Sequence, residues 1–212
     1  EGMLRQKDED GNYVYAKPDG KPYYLYEDGL RIYTTLNSQM QKYAEYAVNQ
    51  HLSGELQADF WNNLKKKKNA PFDWRVSKKQ IENIMQAARK RTDAYRVFTG
   101  KLCPKFGVGA NNIREEVSND TTYFVSTWND LEYSWVKPDE DSIQRYFDTP
   151  HDMRVFSWDG TIDTVMSPND SIKYYKSFLQ AGVLSMDPQT GYIKAWVGGI
   201  NFQNFQYDHV KQ

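Results

Sequence analysis

Ser134 and Lys137 are the residues whose types and spacing come nearest to a catalytic pair. A serine three residues before a lysine lies on the same helical turn, where the amine can take the hydroxyl proton and activate the serine for acyl transfer. Here the pair lies in an aromatic run typical of a strand, and Pro138 disfavours helical geometry at Lys137. We therefore interpret this Ser-x-x-Lys as a chance match.

Two further motifs resemble the partners that such a serine needs, which are a Ser-x-Asn and a Lys-Thr-Gly. Residues 167–169 read Ser-Pro-Asn, but a serine followed by proline is also the usual start of a helix. Residues 189–191 read Gln-Thr-Gly, which lacks the lysine and falls in a predicted hairpin turn. The sequence therefore predicts no catalytic residue.

No residues are predicted to bind a metal or a cofactor. The single cysteine, Cys103, excludes an intrachain disulfide and a cysteine-based zinc cluster. An EF-hand loop with its glycine at Gly11 would need an acid at Gln6. The histidines are scattered without ligand spacing: His51, His151 and His209.

The charge balance argues against nucleic acid as a partner. The 212 residues carry a net charge of −1, and aromatic residues make up 15% of the chain. The lysine run at 65–68 could touch phosphate or anionic lipid, but so short a run is interpreted as a solvated helix end. No apolar run approaches the roughly 20 residues that span a bilayer. Since the chain starts at Glu1 rather than Met, we expect both ends to be cuts through a longer protein.

The first half of the chain predicts turns followed by helices. Three Asp-Gly pairs between tyrosine-rich runs predict a β-meander over residues 1–36. Asn37 is a good N-cap for a helix that we expect to end at Gly54, and Ser77 opens a capping box for a second helix. The apolar stripe of the first helix is predicted to run through Met40, Tyr43, Ala44, Ala47, Val48, His51 and Leu52. Glycines and asparagines predict a loop over residues 99–120.

The second half predicts hairpins between short helices. Strands are expected at 121–128 and 131–136, and a second hairpin turns at 159–160. Helices are expected after Asp139 and after Ser167, and a last hairpin spans 183–197. The mixture lacks a regular βαβ alternation, so the predicted class is α+β, with mixed antiparallel hairpins and several amphipathic helices.

Two stretches carry a family resemblance. Residues 29–37 read Gly-Leu-Arg-Ile-Tyr-Thr-Thr-Leu-Asn, and residues 187–191 read Asp-Pro-Gln-Thr-Gly before an Ile-Lys-Ala-Trp-Val-Gly-Gly run. Together they resemble class A penicillin-binding proteins, which are bifunctional enzymes that polymerise lipid-linked disaccharides and cross-link stem peptides. The Gln-Tyr-Asp-His at 206–209 is most similar to the Bacteroidetes-type versions.

The resemblance implies an internal, non-catalytic segment. Residues 1–36 would lead from the glycosyltransferase, 37–180 would be a linker with an OB-like β-rich insert, and 181–212 would begin the transpeptidase. Both sets of catalytic motifs would lie outside the chain. The implied partners are the adjoining catalytic domains of the same polypeptide. The implied location is the periplasmic side of the bacterial inner membrane, reached through an N-terminal anchor outside the chain.

Other interpretations stay open at this point. The aromatic middle could be a regulatory or glycan-binding module, recognising peptidoglycan or an envelope regulator protein; exposed, clustered Trp128, Trp135 and Trp158 would favour it. An independent hydrolase using Ser134 is disfavoured by the strand geometry. We also expect the 183–197 hairpin to lack sheet neighbours in this chain and therefore to be labile or prone to edge pairing.

Overall fold

A computed structural model of the chain describes residues 3–109 and 112–211. The helices are α1 (Ser38–His51), α2 (Gln57–Leu64), α3 (Lys78–Arg91), α4 (Asp93–Phe98), α5 (Glu140–Asp148) and α6 (Pro168–Lys176). The strands are β1 (Ile113–Ser118), β2 (Thr121–Trp128), β3 (Leu131–Val136), β4 (His151–Ser157), β5 (Gly160–Met166), β6 (Val183–Met186) and β7 (Ile193–Val197). The predicted α+β class is confirmed.

The strands pair locally and antiparallel. They form a sheet of order β1-β2-β3 and two separate hairpins, β4-β5 and β6-β7. An OB-fold needs five strands curled into one barrel. In the two described stretches the five strands of the middle region are split between two sheets, so the OB-like expectation is wrong.

The N-terminal segment differs from the predicted meander. A short 3-10 turn, Met3–Arg5, precedes two isolated bridges, Lys7 with Tyr13 and Ala16 with Pro22. The Asp-Gly turns do form, since the glycines of all three pairs take positive φ. Regular strands need a buried face, however, and Tyr26 and Tyr33 are each 88% exposed. The turns form without a buried face for strands to pack on, and the described residues of this segment therefore make isolated bridges and no sheet.

The helix starts predicted at Asn37, Ser77, Asp139 and Ser167 are confirmed, because caps are local, whereas the starts of α2 and α4 were not predicted. The Asn37 side chain accepts hydrogen bonds from the backbone N–H groups of Gln39 and Met40, both at 3.0 Å. Ser77 and Gln80 form the reciprocal capping box. Each cap satisfies backbone donors that a helix N-terminus leaves free.

Gly54 does not end the first helix. A π-helical turn, Leu52–Leu56, carries the chain from α1 into α2, with Gly54 at ψ −105° inside it. The flanking side chains of Leu52 and Gln57 are both buried. Tertiary packing on either side of the glycine therefore holds the helical segments together across a residue that locally favours a stop.

Strand β1 was missed because it lies within the stretch predicted as a loop. Half of its residues are charged, in the sequence Ile-Arg-Glu-Glu-Val-Ser, and it pairs along its whole length with β2. The β2–β3 hairpin was predicted with the observed bounds. An edge strand such as β1 is held in its conformation by hydrogen bonds to its neighbour. Hydrophobic periodicity in the sequence does not reveal that pairing.

An aromatic cluster joins the middle of the chain to its C-terminal segment. Phe178, just after α6, lies within 5.0–6.3 Å, centroid to centroid, of five other rings. These rings belong to Trp61, Phe156, Trp158, Tyr174 and Phe205. The pairs with Trp61, Phe156 and Tyr174 are edge-to-face, an arrangement that adds stability beyond the area buried.

Candidate functional site

Ser134 and Lys137 do not form a catalytic pair. Ser134 is an exposed residue of β3, whereas Lys137 follows the strand on the face of Trp135, with its ammonium 5.5 Å from the Phe124 ring. Residues three apart in an extended chain face opposite sides. The Lys137 ammonium also bonds both carboxylate oxygens of Glu115, at 3.0 Å each.

The Ser-Pro-Asn motif builds a helix start. The Ser167 hydroxyl accepts the Asp170 backbone N–H at 3.1 Å and donates to the Asp170 carboxylate at 2.8 Å. That second hydrogen bond, with help from Lys173, holds the pKa of Asp170 below its usual range. Buried Asn169 donates to Asp148 and accepts from Arg89, so it ties α3, α5 and α6 together.

Thr190 also has a structural role. Within the β6–β7 turn, the backbone N–H groups of Gln189 and Thr190 donate to the Asp187 carboxylate at 2.9 and 3.2 Å. These bonds lower the pKa of Asp187. Across residues 3–109 and 112–211, no group of three or more His, Cys, Asp or Glu side chains is placed to hold a metal ion.

The most specific long-range contacts lie where the start of α1 meets β7. The Thr35 hydroxyl donates to the Ile193 carbonyl at 2.8 Å, and the Asn37 N–H donates to the Lys194 carbonyl at 2.8 Å. One turn later, the Gln41 amide accepts the Trp196 N–H at 2.8 Å and donates to the Trp196 carbonyl at 2.9 Å.

Gln41 therefore occupies the edge of β7 opposite β6. The N–H and C=O of one strand residue point to the same side, so both open groups of Trp196 are satisfied by one side chain. The β6–β7 hairpin has no third strand among the residues that the structure describes. The expected lack of sheet neighbours is thus partly offset, since a side chain covers the β7 edge.

A second glutamine makes the same kind of contact from α2. Gln57 is 1% exposed; its amide donates to the Ser177 carbonyl at 2.9 Å and accepts the Leu179 N–H at 2.9 Å. The Trp61 indole also donates to the Ser177 carbonyl, at 3.0 Å. A buried amide with both ends bonded specifies one arrangement, because shifting it leaves polar atoms unpaired.

These two sets of contacts define what we call the junction: residues 35–41 and Gln57 on one side, and residues 177–179 and 193–196 on the other. Gln41 and Trp196 are separated by 155 positions, and Gln57 and Ser177 by 120. The chain that enters the middle region therefore lies beside the chain that leaves it.

A cleft of about 440 Å³ opens beside the junction. Its walls include Trp158, Trp196 and Tyr207, with the Glu45 and Asp208 carboxylates at its sides. Glu45 accepts from Gln41 at 2.7 Å, and Asp208 accepts from the Trp196 indole at 3.0 Å. The volume suits a small ligand, and the two carboxylates fix the positions of the Gln41 and Trp196 side chains in the cleft wall.

The three tryptophans considered as a binding surface do not cluster. Trp128 is 45% exposed at the end of β2. Trp135 packs against Phe124 and donates its indole N–H to the Val97 carbonyl at 3.0 Å. Trp158 belongs to the aromatic cluster around Phe178. Two of the three rings are therefore packed in different parts of the fold.

Sequence reasoning missed both glutamines of the junction. Of the stripe predicted for this helix, Ala44, Val48 and Leu52 pack in the core, whereas Met40 and Tyr43 are exposed. The face that packs runs through Gln41, Ala44 and Val48, spaced i, i+3 and i+7, so it shares Ala44 and Val48 with the predicted stripe and adds the glutamine. A glutamine in line with such apolar residues was the available signal for a buried amide.

Residues 126–179 match the family model described as the penicillin-binding protein middle domain. The match runs from the end of β2 through α6 and supports a penicillin-binding protein middle region in this chain. Comparison with curated proteins and with solved structures found no match.

The matched segment lies between the two motifs that carried the resemblance. Residues 29–37 precede it and residues 187–199 follow it. The family model therefore matches a part of the chain in which no family motif was recognised from the sequence. Within the described part of the chain, no helix has the length and apolar character needed to cross a membrane.

Proposed function

We propose that this chain is a non-catalytic segment of a class A, Bacteroidetes-type bifunctional peptidoglycan synthase. Its role is to link the glycosyltransferase to the transpeptidase and to fix their spacing on the periplasmic side of the inner membrane. The observation that carries the proposal is the junction, where the Gln41 amide pairs with the backbone of Trp196 across 155 positions.

The junction suits a spacer because it makes the connection short and stiff. With Asn37 bonded to Lys194, the path between the flanking domains runs through a few hydrogen-bonded residues rather than through the whole middle region. The middle-domain match at residues 126–179 supports the family. The exposed side chains of Leu184 and Met186 on β6 suit a surface onto which the remaining transpeptidase would pack.

The membership of the family is tested with fluorescent penicillin. The chain and the full-length product of its source gene are labelled side by side on a gel. We expect the full-length protein to take the label and the chain alone to remain unlabelled. Labelling of the chain itself would place a reactive serine within it and contradict the proposal.

The spacing role is tested in the full-length protein with Gln41→Glu and Gln57→Leu combined. We expect polymerisation of lipid-linked disaccharide to continue while cross-linking of the new strands falls, because the domains lose their fixed separation. Gln50→Glu, at an exposed position of α1, provides the control. Unchanged cross-linking in the junction variant would contradict the role as a spacer.

The glycan-binding alternative has one observation in its favour, the aromatic cleft beside the junction. Rings such as Trp196 and Tyr207 stack on sugar faces, and carboxylates bond sugar hydroxyls. Saturable binding of the chain to purified sacculi that Phe202→Ala abolishes would support this function. The exposed Phe202 lies on the cleft wall, so its loss leaves the core intact.

A further inference from the structure

The loop after α2, together with the first two residues of α3, carries a dense cluster of positive charge. Residues 65–79 contain seven basic residues and one acid, Asp73, which gives the segment a net charge of +6 in a chain whose total is −1. We call this segment the basic turn. Its basic residues are Lys65, Lys66, Lys67, Lys68, Arg75, Lys78 and Lys79.

The fold leaves this charge uncompensated. All seven basic side chains are exposed. Arg75 bonds Asp73 at 2.9 Å, while the six lysines form no ion pair with the residues that the structure describes. Like charges held close together repel and destabilise a compact fold. A partner outside the chain explains such a cluster better than a contribution to stability does.

Trp74 stands in the middle of the basic turn with 76% of its surface exposed. The Arg75 guanidinium lies 5.9 Å from its ring centroid. Next to the lysine run is an apolar groove of about 660 Å³, whose walls include Trp61, Leu64 and Pro71. The surface thus combines positive charge with an exposed indole and an adjoining apolar depression.

We propose that the basic turn docks on an anionic phospholipid surface. Lysine ammonium groups bind lipid phosphates while their methylene stems cover apolar surface. An indole prefers the boundary between head groups and acyl chains, which is where Trp74 would lie. Binding to single-stranded nucleic acid needs a series of stacking rings along a groove, and the basic turn presents a single exposed ring. This inference does not depend on the proposed function.

The test measures co-sedimentation of the 212-residue chain with vesicles of phosphatidylcholine containing a minority of phosphatidylglycerol. We expect saturable binding that weakens as salt screens the charges. Each lysine contributes about fivefold to the affinity, so replacing Lys65–Lys68 by glutamine lowers it more than about a hundredfold. Trp74→Phe removes most of the blue shift in tryptophan emission on binding.

The matched control removes the same charge from scattered positions. Lys42, Lys90, Lys101 and Lys176 are exposed and lie outside the basic turn, so their combined change to glutamine keeps the turn intact. We expect this variant to retain binding within a few-fold. Far-ultraviolet circular dichroism and the thermal midpoint establish that both variants fold.

Three results overturn the proposal. An equal loss of affinity in the scattered variant would assign binding to net charge alone. Equal binding to pure phosphatidylcholine vesicles would exclude the lysines as the determinant. Tighter binding to a single-stranded oligonucleotide, at the same phosphate concentration, would assign the basic turn to nucleic acid instead of a membrane.

Discussion

Gln41 of α1 pairs both ends of its side-chain amide with the backbone of Trp196 in β7, at 2.8 and 2.9 Å. This amide takes the place that a neighbouring strand would hold. The contact joins two elements that are distant in the sequence and gives the hairpin a bonded edge. Its removal should therefore affect the hairpin more than the helix that carries it.

Gln41→Glu should destabilise the protein by about 1–3 kcal/mol, because a carboxylate cannot donate to the Trp196 carbonyl. The new charge also lies beside the Glu45 carboxylate, which accepts from the Gln41 amide at 2.7 Å. Urea unfolding measures the change, and hydrogen exchange should show lost protection at the Trp196 amide.

The control for that prediction is Gln50→Glu, which adds the same charge to an exposed position of α1. It should change the free energy of unfolding by less than about 0.5 kcal/mol. Equal effects of the two substitutions would mean that net charge, not the bond to Trp196, accounts for the loss.

Gln57→Leu should lower the free energy of unfolding by about 1–3 kcal/mol, because the Leu179 N–H loses its acceptor inside the protein. The Ser177 carbonyl keeps its bond from the Trp61 indole, so the loss is smaller than for two orphaned groups. Thermal unfolding measures it. Gln86→Leu, on an exposed face of α3, is the control and should be close to neutral.

Gly100→Ala should be more damaging than Gly107→Ala, although both glycines have a similar positive φ of 64° and 66°. A methyl group at position 100 would lie 2.4 Å from the Phe124 ring, whereas position 107 has nothing within 4 Å. The shared backbone strain costs about 1–2 kcal/mol, and overpacking adds about 1–3 kcal/mol at position 100.

The comparison of the two glycine variants isolates the contact with the ring. Chemical denaturation gives both free energies on one scale. Combining Gly100→Ala with Phe124→Leu should produce less than the sum of the two single losses, because the smaller side chain makes room. Strict additivity would place the cause elsewhere than in the ring contact.

The stability of the β6–β7 turn should decrease as the pH falls into the acid range. Backbone N–H groups hold the pKa of Asp187 below its usual value, so its folded pKa is lower than its unfolded pKa. The charged carboxylate therefore stabilises the fold above the unfolded pKa of about 3.9, and this contribution is lost as the pH falls through the folded pKa.

Asp187→Asn should flatten the acid side of the stability profile. The measurement is the midpoint of thermal unfolding from neutral pH down through the acid range. Asp159→Asn, in the turn of the β4–β5 hairpin, is the control because its side chain makes no hydrogen bond with the described residues. If the thermal midpoint of Asp187→Asn fell with decreasing pH as steeply as that of the unaltered protein, the Asp187 carboxylate would not be the source of the pH dependence.

Local signals account for what could be predicted from the sequence. The caps at Asn37 and Ser77 and the hairpin β2–β3 depend on residues a few positions apart, so their patterns are visible in the chain. Strand β1 is charged and is shaped by β2, and the helix across Gly54 is held by packing. Neither cause is visible in a short window.

The contacts of the junction could not be predicted from the sequence, although several of the helices and strands that form it could. That Gln41 faces Trp196, and Gln57 faces Ser177, depends on how distant segments pack. The π-helical turn between α1 and α2 sets the relative rotation of the two side chains. Because the sequence predicted a helix end at Gly54, it gave no basis for relating the direction of the Gln57 side chain to that of Gln41.

The bond between the Asn37 N–H and the Lys194 carbonyl has a consequence for how this chain can vary. It closes the middle region into a loop whose entry and exit are neighbours, and the entropy of closing a flexible loop grows only with the logarithm of its length. Doubling such a loop adds about 0.6 kcal/mol. Surface turns within this region, such as the one between β1 and β2, can therefore lengthen or shorten at little cost, provided that the residues of the junction are kept.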